Sequence, residues 1–168
     1  MDHLHAKATR QHTRNHNSAL VLRAIYDNSL VSRADLARLT KLTRTTISDV
    51  VTELIDRGLV AEVGPGTSTG GRTPVLLSVV EDSRHLIGLN LRSGELAGAA
   101  INLRGEIRRR AWRPLTRRSA ESVLPLICQV IDELIASASS PLLGIGVCTP
   151  GLIDAHAGVV RRAVNFGW

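Results

Sequence analysis

A chain of 168 residues, 43% of them apolar, has room for one large or two small domains with a real core, which excludes wholesale disorder. Only 2% of residues are aromatic, so the core is aliphatic and the stacking platforms that hold single strands or RNA are not available. The formal charge of +6 comes from 21 Lys and Arg against 15 Asp and Glu, but residues 1–80 hold 10 bases and 7 acids and residues 81–168 hold 11 and 8, so charge does not locate a site. All the cations except Lys7 and Lys41 are arginine, whose forked donors suit phosphate, although a GC-rich genome enriches arginine in the same way. Cys128 and Cys148 have apolar neighbours and are expected as reduced core residues. No apolar run approaches the ~20 residues of a membrane span, and the polar N-terminus does not read as a signal peptide. No membrane partner and a cytoplasmic location are expected.

Residues 1–14, "MDHLHAKATRQHTR", have no periodicity and are expected to be a mobile arm that brushes DNA phosphate. Its histidines His3, His5 and His12, with His16 beyond, have no Cys and only Asp2 as a carboxylate near them, too little for a ligand set, so neither a metal nor a cofactor is expected. Leu20, Val21, Ala24 and Ile25 mark a first helix over 17–27. Ser32 then caps a short second helix, with Asp35 at the third helical position and Leu36 and Leu39 facing inward. Thr43 caps a third helix that runs to Arg57 and stops at Gly58. Two apolar runs, 59–63 and 75–80, flank the loop "GPGTSTGGRTP" and predict a hairpin with a long tip. Three helices followed by a two-stranded wing make residues 15–80 a winged helix-turn-helix.

The third helix has an unusual outer face. Ile47, Val50, Val51 and Leu54 repeat at helical spacing, so one side is buried, while Arg44, Thr45, Ser48 and Thr52 occupy the other. In a helix-turn-helix the N-terminal part of this element enters the major groove. Short hydroxyls allow the backbone close to base edges, and an arginine reaches guanine or phosphate. Arg44, Thr45, Thr46 and Ser48 are therefore the candidates for base reading or backbone positioning, and Arg33 and Thr52 complete the DNA-binding set. Asp49 lies near this face and would repel phosphate unless it meets a cytosine amine or an arginine. In the wing, Arg72 on its glycine loop suits a narrow A·T-rich minor groove. It is similar to a Gly-Arg-Pro hook, with Thr73 interrupting the match.

Beyond "EDSRH" the pattern changes. "HLIGLNL", "ELAGAAINL" and "EIRRRAWRPL" predict a meander of three strands. Ser119 caps a long helix with a stripe of Val123, Leu126, Ile127, Val130, Ile131, Leu134 and Ile135. The wholly apolar "LLGIGVC" predicts a strand ending in a Pro-Gly turn, and "GVVRRAVNF" one more. Three strands, a helix and a strand begin an α/β domain over 84–168.

With "RNHNSALVLRAI", "SRADLARLTKLTRTTISDVVTELIDRGLV" and "GGRTPVLL" in register, the chain resembles transcriptional regulators of the ROK family (repressor, open reading frame, kinase). The resemblance continues through "LIGLNLRSGELAGAAINLRGEI" and "GIGVCTPGLIDAHAGVVRRAVNFGW" and so covers nearly all of the chain. It implies an α+β winged helix-turn-helix, MarR-like, followed by the first lobe of an α/β actin-like (ribonuclease H-like) sugar-kinase fold. It also implies a homodimeric regulator of sugar genes with a double-stranded operator as partner and a sugar effector. Kinases of the family carry an Asp and a Gly-Gly-Thr turn on the first hairpin; here Asn90 and Arg92-Ser93-Gly94 stand in those places, which implies a sensor and not an enzyme. Gly151 and Asn165 match positions near the family's sugar pocket, and both also suit plain structural roles. The family's Asn-Asp pair, its zinc motif, its second lobe and its dimer helices fall beyond Trp168, so the chain reads as a fragment or a truncated product. Two other readings stay open: a winged module that docks protein, and a sugar kinase fused to a DNA-binding module.

Overall fold

The first helix begins earlier than its apolar residues suggest. In the computed structural model, which describes residues 10–67 and 73–166 apart from the side chain of Asn165, α1 spans Arg10–Asn28. It takes in residues 10–14, expected as part of the arm. Polar links carry this extra turn: Gln11 Nε2 donates to Asn15 Oδ1 at 2.8 Å, and Arg14 pairs with Glu53 at 2.8 Å. Periodicity of apolar residues is blind to such links. The rest of the expected arm, with His3 and His5, lies outside the described residues.

The chain divides into two units, Met1–Val80 and Glu81–Trp168. In the first, a two-residue strand β1 (Val31–Ser32) leads into α2 (Arg33–Thr40), and a tight turn leads to α3 (Arg44–Asp56). Strand β2 (Val60–Pro65) pairs antiparallel with β3 (Val75–Val79), and β1 adds to the far side of β3, with Val31 opposite Leu77. The wing is thus a three-stranded sheet in the order β1-β3-β2. Val21, Ile25, Leu36, Ile47, Val51, Leu54 and Leu77 are buried and form its core. Leu39, expected inside, is 55% exposed. On so short a helix one apolar position, Leu36, meets the neighbouring helices, and the next turn faces outward.

Local chemistry sets the ends of these helices. Ser32 Oγ accepts from Asp35 N at 3.2 Å while Ser32 N donates to Asp35 Oδ2 at 3.3 Å, a complete capping box. Thr43 Oγ1 accepts from Thr46 N at 3.2 Å at the head of α3. At its tail Gly58 N donates to Ile55 O at 2.8 Å and Leu59 N to Leu54 O at 3.0 Å, a Schellman motif that needs the positive φ of 66° at Gly58. The Asp35 carboxyl is held below the usual carboxylate range, first by the Ser32 hydroxyl and further by the Arg38 guanidinium. Because the folded value is the lower one, this stabilisation is present above the ordinary Asp value of about 4 and is lost as pH falls through the folded value. Ser32→Ala is therefore expected to cost about 1 kcal/mol at neutral pH. In thermal melts the gap to the parent should shrink in acid; a gap independent of pH would mean that Asp35 takes no part in the cap.

In the second unit β4 (His85–Arg92), β5 (Glu95–Ile101) and β6 (Ile107–Pro114) form an antiparallel meander. Helix α4 (Ala120–Ala136) then crosses to β7 (Leu142–Cys148), which runs parallel to β4 and gives the order β6-β5-β4-β7. A small hairpin of β8 (Leu152–Asp154) and β9 (Val159–Arg162) follows. The run expected as a single strand stops at Arg162 and turns into a 3-10 segment, Val164–Phe166, that buries Ala163 and Phe166. Ser119 occupies the N-cap of α4, but its side chain makes no capping bond.

Val123, Val130 and Leu134 of α4 pack with Ile87, Leu89, Leu91 and Leu96 of the sheet. Gly98 makes that approach possible: a Cβ there would stand 2.7 Å from Val130 Cγ1 and 2.9 Å from Leu134 Cδ1 and from Leu89 Cδ2. Gly98→Val is expected to destabilise this unit by about 1–3 kcal/mol through overpacking, read as a lower urea midpoint. Both cysteines, expected in the core, are exposed. Cys128 lies on the outer side of α4, away from Val123 and Val130. Cys148 pairs in register with Asn90 on the sheet face turned away from α4. Many arginines of this unit are tied internally: Arg113 reaches Glu133 at 2.7 Å, and Arg108 Nε reaches Asp82 Oδ1 at 2.6 Å, which holds the Asp82 carboxyl below its usual range. Much of the basic excess of this unit is therefore engaged in structure.

Candidate nucleic-acid interface

The Thr43 cap and the Schellman stop frame α3, and Ile47, Val50, Val51 and Leu54 pin one side of it to the core. The side opposite is open to solvent. Thr45, Ser48 and Thr52 are exposed, as the sequence predicts for a reading face. Arg44, the first helical residue, is exposed and has no ion pair among the described residues. It shares a shallow hollow with Ser48 on α3 and with Arg33 and Ala34 at the head of α2. A second hollow joins Ser32, Arg33 and Ala34 to Thr73, Pro74 and Val75 at the wing base. The head of α2, the first turns of α3 and the ascending wing strand thus form one continuous surface around Arg33.

Two candidates are more constrained than the sequence suggests. Arg33 is half-buried, and its Nη1 lies 2.8 Å from Glu62 Oε1 on β2. Its charge is partly neutralised, and its contact ties α2 to the wing. Thr46 is half-buried, and its hydroxyl stands 2.9 Å from that of Thr43, within the cap. It lies on the opposite flank from Arg44, where it lines a cleft toward α1 with Arg10 and Arg14. Arg72 lies outside the described residues.

The cleft brings in Arg10 and Arg14, which apolar periodicity does not single out. Arg10 has no ion pair among the described residues, whereas Arg14 is held by Glu53. Their spacing of four residues puts both on one face of α1, a signal available once residues 10–14 are recognised as helical.

In the second unit β4 and β5 are joined through Ser93 and Gly94, with Arg92 opposite Glu95. The Asn90 amide oxygen, oriented to satisfy both groups, accepts from Arg92 Nε at 3.2 Å. Asn90, which the resemblance sets in place of the kinases' acid, is thus a neutral amide beside the Arg92 guanidinium. Gly151 has a plain structural cause: a Cβ would meet Arg162 O at 2.1 Å, and φ is 120°. Asn165 sits in the 3-10 segment, with its side chain outside the described residues. Among the described residues no three His, Cys, Asp or Glu side chains gather as a metal site, and no helix is long and apolar enough to cross a membrane.

A model of the MarR family matches residues 13–67, the three helices and the first wing strand. The xylose repressor of Caldicellulosiruptor bescii is 35% identical over 156 residues, covering 90% of this chain and 39% of that protein. The xylose repressor of Bacillus subtilis is 34% identical over 155 residues, with 90% and 40% covered. The DNA-binding transcriptional dual regulator NagC of Escherichia coli is 30% identical over 150 residues, with 86% and 36% covered. The chain spans about two fifths of the length of the curated relatives it matches. Among solved structures, a ROK family transcriptional regulator described as a homolog of the E. coli MLC protein superposes with a TM-score of 0.74 at 24% identity, over 94% of this chain and 41% of that one. That likeness shows a shared fold. The chain is thus similar over most of its length to xylose and N-acetylglucosamine repressors, carries a MarR-type winged helix at its head, and shares the fold of a ROK family transcriptional regulator.

Proposed function

We propose that this chain is a sequence-specific, double-stranded DNA-binding transcriptional regulator, a repressor of carbohydrate-related genes acting in the cytoplasm. The observation that carries this reading is the continuous surface of α3, the head of α2 and the wing base, with Arg44, unpaired among the described residues, beside exposed Thr45, Ser48 and Thr52. On this reading α3 lies in the major groove, Arg44 and the short hydroxyls meet base edges and phosphate, Thr46 firms the helix head, and Arg33 positions the wing. Arg72 on the wing loop is assigned to the minor groove on sequence grounds alone. The relatives' names, xylose repressor and N-acetylglucosamine repressor, support the sugar connection. The second unit is read as a non-enzymatic sensor for a sugar, with Gly151 and Asn165 beside its pocket, because Asn90 bound to Arg92 offers no acid to hold a metal–phosphate group. A homodimer is the natural form for a palindromic operator, whose half-sites lie about 34–36 Å apart.

The test is selection of random duplex DNA by the purified chain at low and physiological salt. Enrichment of a defined half-site or palindrome, with affinity falling steeply as salt rises, supports the reading. Absence of enrichment at both salts turns it toward a winged module that docks protein.

A further inference from the structure

Asp49 stands at the centre of the face that α3 turns to solvent. At 3.6 residues per turn, Thr45, Asp49, Thr52 and Asp56 form a single stripe opposite the buried side, and all four are exposed. Arg44 and Ser48 flank the stripe on one side and Thr46 on the other. Asp49 has neither a hydrogen bond nor an ion pair among the described residues, and the neighbouring Arg14 is committed to Glu53 at 2.8 Å. Arg10 lines the same cleft as Asp49, but no ion pair joins the two, so among the described residues no arginine partner explains the carboxylate.

An unpaired carboxylate in this place repels phosphate on every sequence, so it lowers affinity without discrimination unless it meets a donor. In the major groove the donors are the exocyclic amines of cytosine and adenine. Adenine's N6 stands beside N7, an acceptor that repels a carboxylate oxygen. Cytosine's N4 stands beside a C–H edge and carries no such penalty. Guanine and thymine present no donor at the corresponding edge. Resting on the DNA-binding reading above, we propose that Asp49 is a specificity-determining residue that accepts a hydrogen bond from cytosine N4. It requires a C·G pair at one step of the operator. Asp49 lies roughly 6 Å along the helix axis from Thr45, so this pair is distinct from the one met by the first turn.

The experiment measures binding of the chain to the duplex recovered by selection, to its single-base variants and to unrelated duplex DNA. Parent, Asp49→Ala, Asp49→Asn and Arg44→Ala are compared. The parent should prefer C over the other bases at one position by on the order of 10-fold. Asp49→Ala should abolish that preference, leave the others intact and tighten binding to unrelated DNA. Asp49→Asn should move the preference to adenine, whose N6 and N7 suit an amide. If Asp49→Ala instead strengthens binding to every duplex equally with all preferences unchanged, Asp49 is only a repulsive charge and the inference is overturned. The DNA-binding reading survives that result as long as Arg44→Ala still weakens the selected duplex. If the parent discriminates no sequence at all, both fall together.

Discussion

Replacing Arg44 by alanine is expected to weaken binding to the preferred duplex by about 1–3 kcal/mol, roughly one to two powers of ten in Kd. The size follows from position. Arg44 is the first helical residue of α3, so on the proposed reading it projects from the end that enters the groove, where free backbone N–H groups favour phosphate. It is exposed and unpaired among the described residues, so its fork has no internal contact to break before meeting DNA. Arg33 offers a contrast: it must first release Glu62, and its loss should cost less affinity. Fluorescence anisotropy over a salt series separates two roles for Arg44. A loss confined to the selected duplex marks base reading. An equal loss on unrelated duplex, with the salt slope reduced by about 0.9, marks a phosphate contact. Affinity unchanged on both would mean that α3 does not face DNA.

Leu54→Ala is expected to destabilise the first unit by about 2–5 kcal/mol. Leu54 is 1% exposed, and its carbonyl accepts from Leu59 N at the end of α3, so one residue joins the helix stop to the core. Small domains are stable by about 5–15 kcal/mol, so this single truncation removes a large share of the total. Urea denaturation followed by circular dichroism measures it. At low temperature and without urea, the folded fraction should bind the selected duplex with parental affinity, because Leu54 lies on the buried side of α3, away from the proposed reading face. A Leu54→Ala variant as stable as the parent would mean that this side of α3 is loosely packed. Thr52→Ala, on the exposed side, should change stability by less than about 0.5 kcal/mol.

The sequence by itself determined the features whose chemistry spans a few residues. Ser32 with Asp35, Thr43 with Thr46, and Gly58 are caps closed within one turn, so residue types at fixed spacing suffice to read them. The buried side of α3, the order of helices and wing, and the strand meander followed by α4 and β7 were legible for the same reason. Periods of 3.6 and 2 are local properties of the chain. The tertiary structure alone decided which apolar residues found a partner. Leu39, Cys128 and Cys148 carry the same signal as their buried neighbours, yet they stay exposed. Gly98 reads as an ordinary strand glycine until α4 lies across it. The pairing of β1 with β3, the contact of Arg33 with Glu62 and the anchoring of Arg14 on Glu53 join residues 29 to 46 positions apart. The same holds at the candidate interface. Arg44 and the threonines are visible as residue types, but the isolation of Asp49 is settled only when its neighbours' partners are known, because an ion pair depends on distance in space and not along the chain.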